Sequence, residues 1–277
     1  MSLSTRFELR EKLGEGASGV VYDAYDKNLR RHVAIKVFKK FGGGDDSVEL
    51  RERFLIGARA AAGVSHPNIV TIYDAGSFGD GIAIVMELIK DTLRRMLDRT
   101  PQLPWDVIGG ITAQVADGLK CLHDHGIFHR DIKPSNILIA PGNVARIGDF
   151  GFAHLPLSDL TRTGTVIGTP RYMSPEQAQG QVIDYRTDIF SLGVVLFEML
   201  TGQTPFERPP CKDYVLLDRI VREPVLDPSQ YNPQVPAGFD AIVARALAKS
   251  PQDRFQDAGK FAEALRAVRI PASHNKA

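Results

Sequence analysis

The spacing of apolar and polar positions changes about a third of the way along the chain. Residues 7–13, 20–25 and 33–38 are short runs rich in β-branched or aromatic side chains, separated by turn formers, and they predict strands. The stretch Gly42-Gly43-Gly44-Asp45-Asp46-Ser47 breaks this pattern and offers N-cap candidates for a helix running to about Ala62. Residues 69–73 and 82–87 predict two further strands. From Thr92 onward the spacing turns helical, most clearly over 107–123, 188–200 and 239–248. Residues 189–200 form the most apolar stretch, but it is too short to span a bilayer and carries Ser191, Gly193 and Glu198, which predicts a buried helix. Strands first and helices later indicate an α+β protein with a sheet-rich lobe and a helical lobe. No internal repeat or low-complexity linker interrupts it.

Composition narrows the picture only a little. A chain of 277 residues holds one large or two small domains with room for a core. Hydrophobic residues at 43% and charged residues at 24% are ordinary for a soluble globular protein. A net charge of +1 argues against a nucleic-acid partner, which calls for a clustered basic excess. Cys121 and Cys211 lie far apart and fit a reducing compartment rather than a disulfide framework or a zinc site. His123, His125 and His129 have no Cys or acidic neighbour at ligand spacing, so the first two read as a polar turn. No run of about 18 apolar residues is present, and the opening residues lack the apolar core of a signal peptide. Residues 271–277 are expected to be a disordered tail.

Candidate chemistry begins with Leu13-Gly14-Glu15-Gly16-Ala17-Ser18-Gly19-Val20-Val21. Dinucleotide-binding folds share the GxGxxG spacing, so the motif alone decides little. There the glycines open a helix; here they lead into Val20-Val21-Tyr22, and no acidic residue follows at the distance a dinucleotide site requires. A β-hairpin flap lying over phosphates is the better reading. Lys36 follows in an apolar strand, where an uncompensated ammonium is costly and a phosphate is a natural partner. The most informative segment is His129-Arg130-Asp131-Ile132-Lys133-Pro134-Ser135-Asn136, followed by Asp149-Phe150-Gly151. Phosphoryl transfer needs a carboxylate beside the acceptor hydroxyl, a cation on the moving phosphoryl and oxygen ligands for a divalent ion. Asp131, Lys133, and the pair Asn136 and Asp149 supply those three. The bland alternative is a solvated polar loop.

In order and spacing these motifs resemble a eukaryotic-type Ser/Thr protein kinase domain, closest to its bacterial branch. The resemblance covers roughly residues 7–267 and is reinforced by Ser65-His66-Pro67-Asn68-Ile69-Val70, by Val85-Met86-Glu87-Leu88 and by Gly168-Thr169-Pro170-Arg171-Tyr172-Met173-Ser174-Pro175-Glu176. Asp188-Ile189-Phe190-Ser191-Leu192-Gly193 and Arg254 also match. It implies a bilobal kinase domain over 1–270, with an antiparallel-sheet N-lobe plus one helix (the family's αC) over about 7–87, and a mainly helical C-lobe over about 91–268. The implied cofactors are ATP and Mg²⁺, with Mn²⁺ as the alternative ion. Leu13 to Gly19, Val21, Ala34, Lys36, Met86, Glu87, Leu88 and Leu138 are implied at the ATP, although plain core packing explains Val21, Ala34 and Leu138 equally well. Glu176 is implied to pair with Arg254, and Asp188 to hold the backbone of the catalytic loop. Lys133 and Thr169 match the Ser/Thr class. Thr161, Thr163 and Thr165 are implied autophosphorylation sites, with Arg130 receiving the phosphate. The implied partners are protein substrates and a second copy for trans-autophosphorylation. The expected setting is the cytoplasm, with the chain standing alone or as the cytoplasmic part of a longer membrane receptor.

One family residue is missing. The glutamate that pairs with Lys36 is expected nine positions before His66, where Gly57 stands. Glu52 is about 140° away round an ideal helix, and Glu49 about two turns away. A glycine inside the helix also costs roughly 1 kcal/mol relative to alanine. Three readings stay open: an unusual lysine partner, a kinase whose αC is ordered by a partner protein, and a pseudokinase scaffold. A small-molecule phosphotransferase of related fold is disfavoured by the segment Gly168 to Glu176, which in the family docks peptides.

Overall fold

The structure is a computed structural model that describes residues 3–16, 19–38, 55–79, 81–149, 170–209 and 212–270. The chain divides into two compact units, Met1–Lys90 with Gly148–Gly168, and Asp91–Ile147 with Thr169–Ala277.

The first unit is built on a five-stranded antiparallel sheet in the order β1-β2-β3-β5-β4. Its strands are β1 (Phe7–Gly16), β2 (Gly19–Asp26), β3 (Arg31–Phe38), β4 (Ile72–Phe78) and β5 (Gly81–Met86). β3 is central and buried on both faces from Val33 to Lys36, so its apolar residues run together up to the lysine rather than alternating. Ile35, Val33, Ala24, Phe7, Ala83 and Val85 form the core, closed by Leu3 from a helical turn ahead of β1. Full burial of a side chain such as Ile35 contributes about 1.5–3 kcal/mol. Residues 55–62 form the helix α1, whose inward positions are Ala58 and Ala61, while Ile56 is exposed.

The fourth strand lies later than its expected place at 69–73. Ile69 and Val70 are buried in the approach, and the strand itself carries the polar run Asp74-Ala75-Gly76-Ser77. β4 is an edge strand held by its backbone ladder to β5, so its side chains need no apolar alternation.

The second unit is mainly helical. Its longer helices are α2 (Leu93–Arg99), α3 (Trp105–Asp124), α4 (Arg186–Thr201), α5 (Asp213–Arg222), α6 (Gly238–Ala246) and α7 (Ala258–Arg266). Every residue of α4 from Thr187 to Leu200 is buried, which is why its sequence shows no polar stripe. Gly193 lets α6 approach closely, since a Cβ there would lie 2.8 Å from Cβ of Ala246. The helix stops at Gly202, whose φ of 77° suits glycine. α3 turns Ile108, Ile111, Val115, Leu119 and Leu122 inward. A two-stranded hairpin, β6 (Ile137–Ala140) and β7 (Val144–Ile147), interrupts the helices; each strand is too short to show a period. Among the described residues no helix is long and apolar enough to cross a membrane.

Candidate active site

In the first unit the flap is the β1–β2 hairpin, which closes at the pair Gly16↔Gly19. Ala17 and Ser18 lie outside the described residues. Gly19 is required by packing, because a Cβ there would stand 2.3 Å from the Val37 carbonyl oxygen. Gly14 and Gly16 meet nothing within 4 Å, so their lack of side chains serves no contact inside the unit. Leu13 and Val21 are half-buried and Glu15 is exposed, with Lys12 Nζ 2.6 Å from Glu15 Oε2.

Lys36 stands opposite Val21 on β2 and Ile84 on β5. It is 5% exposed, and its ammonium bonds Asp149 Oδ1 and lies 5.0 Å from the Phe38 ring centroid. Asp149 has a left-handed backbone, φ 54°, where a residue other than glycine is strained. Ala34 pairs with Met86 across β3 and β5, and both are buried. Beyond Met86 the chain leaves the sheet: Glu87 N–H donates to the Thr71 carbonyl at 2.9 Å, and Glu87 and Leu88 are half-buried. Gly57 lies within α1, while Glu49 and Glu52 lie outside the described residues.

Sequence reasoning missed Asp23, a 4%-exposed acid on β2. Its carboxylate accepts from His32 Nδ1 at 2.8 Å and pairs with Lys90 Nζ at 2.9 Å. Burial alone would raise its carboxyl, but these two partners hold it below the ordinary carboxylate range. The available signal was an acid in the middle of a strand otherwise made of glycine, valine, alanine and tyrosine up to its terminal Asp26.

In the second unit the segment 129–136 is tied by its own side chains. Lys133 Nζ lies 2.7 Å from Asp131 Oδ2. Asn136 Nδ2 donates to the Asp131 carbonyl at 2.8 Å and to Asp131 Oδ2 at 3.0 Å. That fixes the asparagine amide and turns its carbonyl oxygen away from Asp131. Asn136 is 4% exposed, whereas Asp131 and Lys133 stay half-exposed. Leu138, half-buried on β6, bridges to Thr92.

The loop's backbone is held from α4. Asp188, fully buried, accepts N–H bonds from His129 at 2.8 Å and from Arg130 at 2.7 Å. His123 Nε2 lies 2.9 Å from the same carboxylate, so this histidine orients Asp188 instead of forming a plain polar turn. Arg130 has φ 66°, an unfavourable backbone for arginine that these bonds and the Gln177 Nε2 bond to its carbonyl hold in place. Its Nε is buried without a hydrogen-bond partner among the described residues. Thr161, Thr163 and Thr165 lie outside those residues.

Glu176 and Arg254 meet in a buried bidentate pair. A second, partly buried network joins Tyr172 Oη to Glu198 Oε2 and Arg94 Nη1 to Glu198 Oε1, each at 2.7 Å.

Taken unit by unit, Asn136 in the second offers an amide oxygen and Asp149 in the first a carboxylate. Hard oxygen donors of this kind suit Mg²⁺ or Mn²⁺ and do not suit a thiolate-loving metal.

A family profile described as "Protein kinase domain" matches residues 7–266. A probable serine/threonine-protein kinase of Clostridium acetobutylicum is 36% identical over 269 residues, covering 96% of this chain and 40% of its own. The serine/threonine-protein kinase PknB of Mycobacterium leprae is 40% identical over 268 residues, covering 94% of this chain and 42% of its own. PknB of Mycolicibacterium smegmatis is 41% identical over 271 residues, with the same coverages. The chain thus spans about 40% of the length of the curated relatives it matches.

Proposed function

Starting from a chain that belongs to the protein kinase family, we propose that it transfers the γ-phosphoryl group of ATP to serine or threonine hydroxyls of proteins. The observation that carries this reading is the Asp131–Lys133–Asn136 cluster, fastened to the fold through Asp188. Asp131 would accept or orient the proton of the acceptor hydroxyl. Lys133 would stabilise charge on the transferring phosphoryl, and Lys36 would bind the α- and β-phosphates. Asn136 and Asp149 would hold Mg²⁺ or Mn²⁺, which when bound neutralises phosphate charge. Leu13, Val21, Ala34, Met86 and Leu138 would enclose the adenine, with Glu87 and Leu88 supplying backbone groups for its edge. The flap from Gly14 to Gly19, with Glu15, Ala17 and Ser18, would cover the phosphates.

The relatives named as Ser/Thr kinases support that acceptor class. Thr161, Thr163 and Thr165 are proposed autophosphorylation sites, modified in trans by a second copy and received by Arg130, whose buried Nε is unpartnered among the described residues. The proposed setting is the cytoplasm, with the chain standing alone or as the cytoplasmic part of a longer membrane receptor. Gly57 is the single observation favouring a binding-only scaffold; the intact Lys36, Asp131, Asn136 and Asp149 favour catalysis. Phosphate transfer from radiolabelled Mg-ATP to a protein substrate, followed by phosphoamino-acid analysis, tests the reading. Label on serine or threonine supports it; saturable Mg-ATP binding without transfer would favour the scaffold.

A further inference from the structure

Resting on the assignment of Lys36 to the α- and β-phosphates, we propose that Phe38 is the positioning residue that holds Lys36 in place of the carboxylate missing at Gly57. Lys36 and Phe38 are two residues apart on β3, so their side chains leave the same face of the strand. The ammonium stands 5.0 Å from the ring centroid, within the 6 Å or so over which a cation is attracted to an aromatic face. Among the described residues the ammonium has one anionic partner, Asp149. Under the proposed function that carboxylate is committed to the divalent ion, and the Phe38 ring is then the described contact that remains.

The ring is well anchored. Phe38 is 6% exposed and pairs with Gly19 across β2 and β3. A Cβ at Gly19 would lie 3.0 Å from Phe38 Cα, so flap and ring root are in close contact and the glycine makes that approach possible. Phe38 is therefore fixed beside the closing end of the hairpin that would cover the phosphates.

The two kinds of partner differ in charge. A carboxylate holds a lysine and cancels its charge. An aromatic face holds it through the ring quadrupole and leaves the positive charge whole. Lys36 held by Phe38 would present an uncancelled cation to a polyphosphate, without a helix having to deliver an acid. The Gly57 gap then removes a regulatory requirement and not the catalytic lysine's placement.

The test introduces fluorinated phenylalanines at position 38, with one, two and three ring fluorines, into the 277-residue protein, alongside Phe38→Leu and Phe38→Tyr. Fluorination drains the ring face of negative charge with little change of shape, which separates the electrostatic role from packing. The readouts are the Mg-ATP dissociation constant by calorimetry, kcat and KM for ATP, and thermal stability. The dissociation constant and KM are expected to rise stepwise along the fluorine series, to about three- to tenfold at three fluorines, with kcat within about twofold. Phe38→Tyr should stay near wild type and Phe38→Leu should match the trifluoro protein. A flat series in a protein that binds Mg-ATP normally would overturn the role of Phe38 alone. A wild-type protein that binds no Mg-ATP would overturn this proposal together with the function it rests on. Should Phe38→Leu fail to fold, the fluorine series still decides.

Discussion

Arg254 and Glu176 face each other inside the second unit, Nη1 to Oε1 and Nη2 to Oε2, both at 2.7 Å, with the arginine 1% exposed. The guanidinium also donates to the carbonyls of Ala248, Lys249 and Arg186, so every edge of it is used. Seventy-eight residues separate the partners, and the pair fastens the segment after residue 170 to the chain's late helices. Burial by itself would raise the Glu176 carboxyl, but the arginine more than offsets this and holds it below its ordinary value of 4.5.

The first prediction follows from that depression. A lowered folded-state value contributes stability that is complete above the unfolded value and is lost as pH falls through the folded one. Glu176→Gln leaves the guanidinium buried and unpaired, so it should cost about 3–5 kcal/mol at pH 7. The gap between wild type and variant should close once acid protonates Glu176. Urea titrations in steps from pH 7 down into the acid range, as far as the protein stays folded, measure this; a gap that stays constant with pH would show that the pair's charge is irrelevant.

Asp131→Asn is expected to abolish phosphoryl transfer and leave Mg-ATP affinity within about threefold. Asparagine keeps the acceptor for Lys133 and Asn136 but cannot take a proton, so turnover should fall by at least about 10²-fold. Steady-state kinetics beside calorimetric binding separates the two effects. Wild-type turnover in this variant would remove Asp131 from the mechanism.

Incubation with Mg-ATP should place phosphate on at least one of Thr161, Thr163 and Thr165, detectable by mass spectrometry. Arg130→Ala should then lower turnover of the phosphorylated protein several-fold while barely changing the unphosphorylated one, since it removes a charge-assisted partner of the phosphate. A preparation that phosphorylates a test protein but never this loop would mean that activation proceeds without loop phosphorylation.

Gly57→Glu should improve the propensity of α1 by up to about 1 kcal/mol. Its kinetic effect depends on residue 38. With Phe38 present, kcat/KM for ATP should change by less than about threefold; in a Phe38→Leu background the new acid should restore several-fold, so the two substitutions are non-additive. Equal effects in both backgrounds would show that Gly57 and Phe38 do not act on the same lysine.

The sequence made most of this legible where one rule dominated. β3 and α4 announce themselves because burial on all sides leaves mostly apolar residues, and Asp131, Asn136 and Lys36 stand out because their chemistry is unusual at that spacing. β4 was placed early because an edge strand can be polar, and the β6–β7 hairpin escaped because four residues carry no period. His123 and Asp23 were misjudged or missed for a different reason. Asp188 and Lys90, which they meet, lie 65 and 67 positions away in the chain, and Asp23's other partner, His32, sits nine positions on in the next strand; no local pattern signals pairings of either kind.

The grip of Asp188 on the backbone of His129 and Arg130 carries a consequence for biosynthesis. Those bonds join positions 58 and 59 residues apart. A ribosome that has completed the His129–Asn136 segment has not yet made the residue that shapes it, so the nascent chain holds the reactive groups without their geometry. Under the proposed function, phosphoryl transfer has to wait until α4 has emerged and docked, and a chain cut short before Asp188 should be silent however much ATP surrounds it.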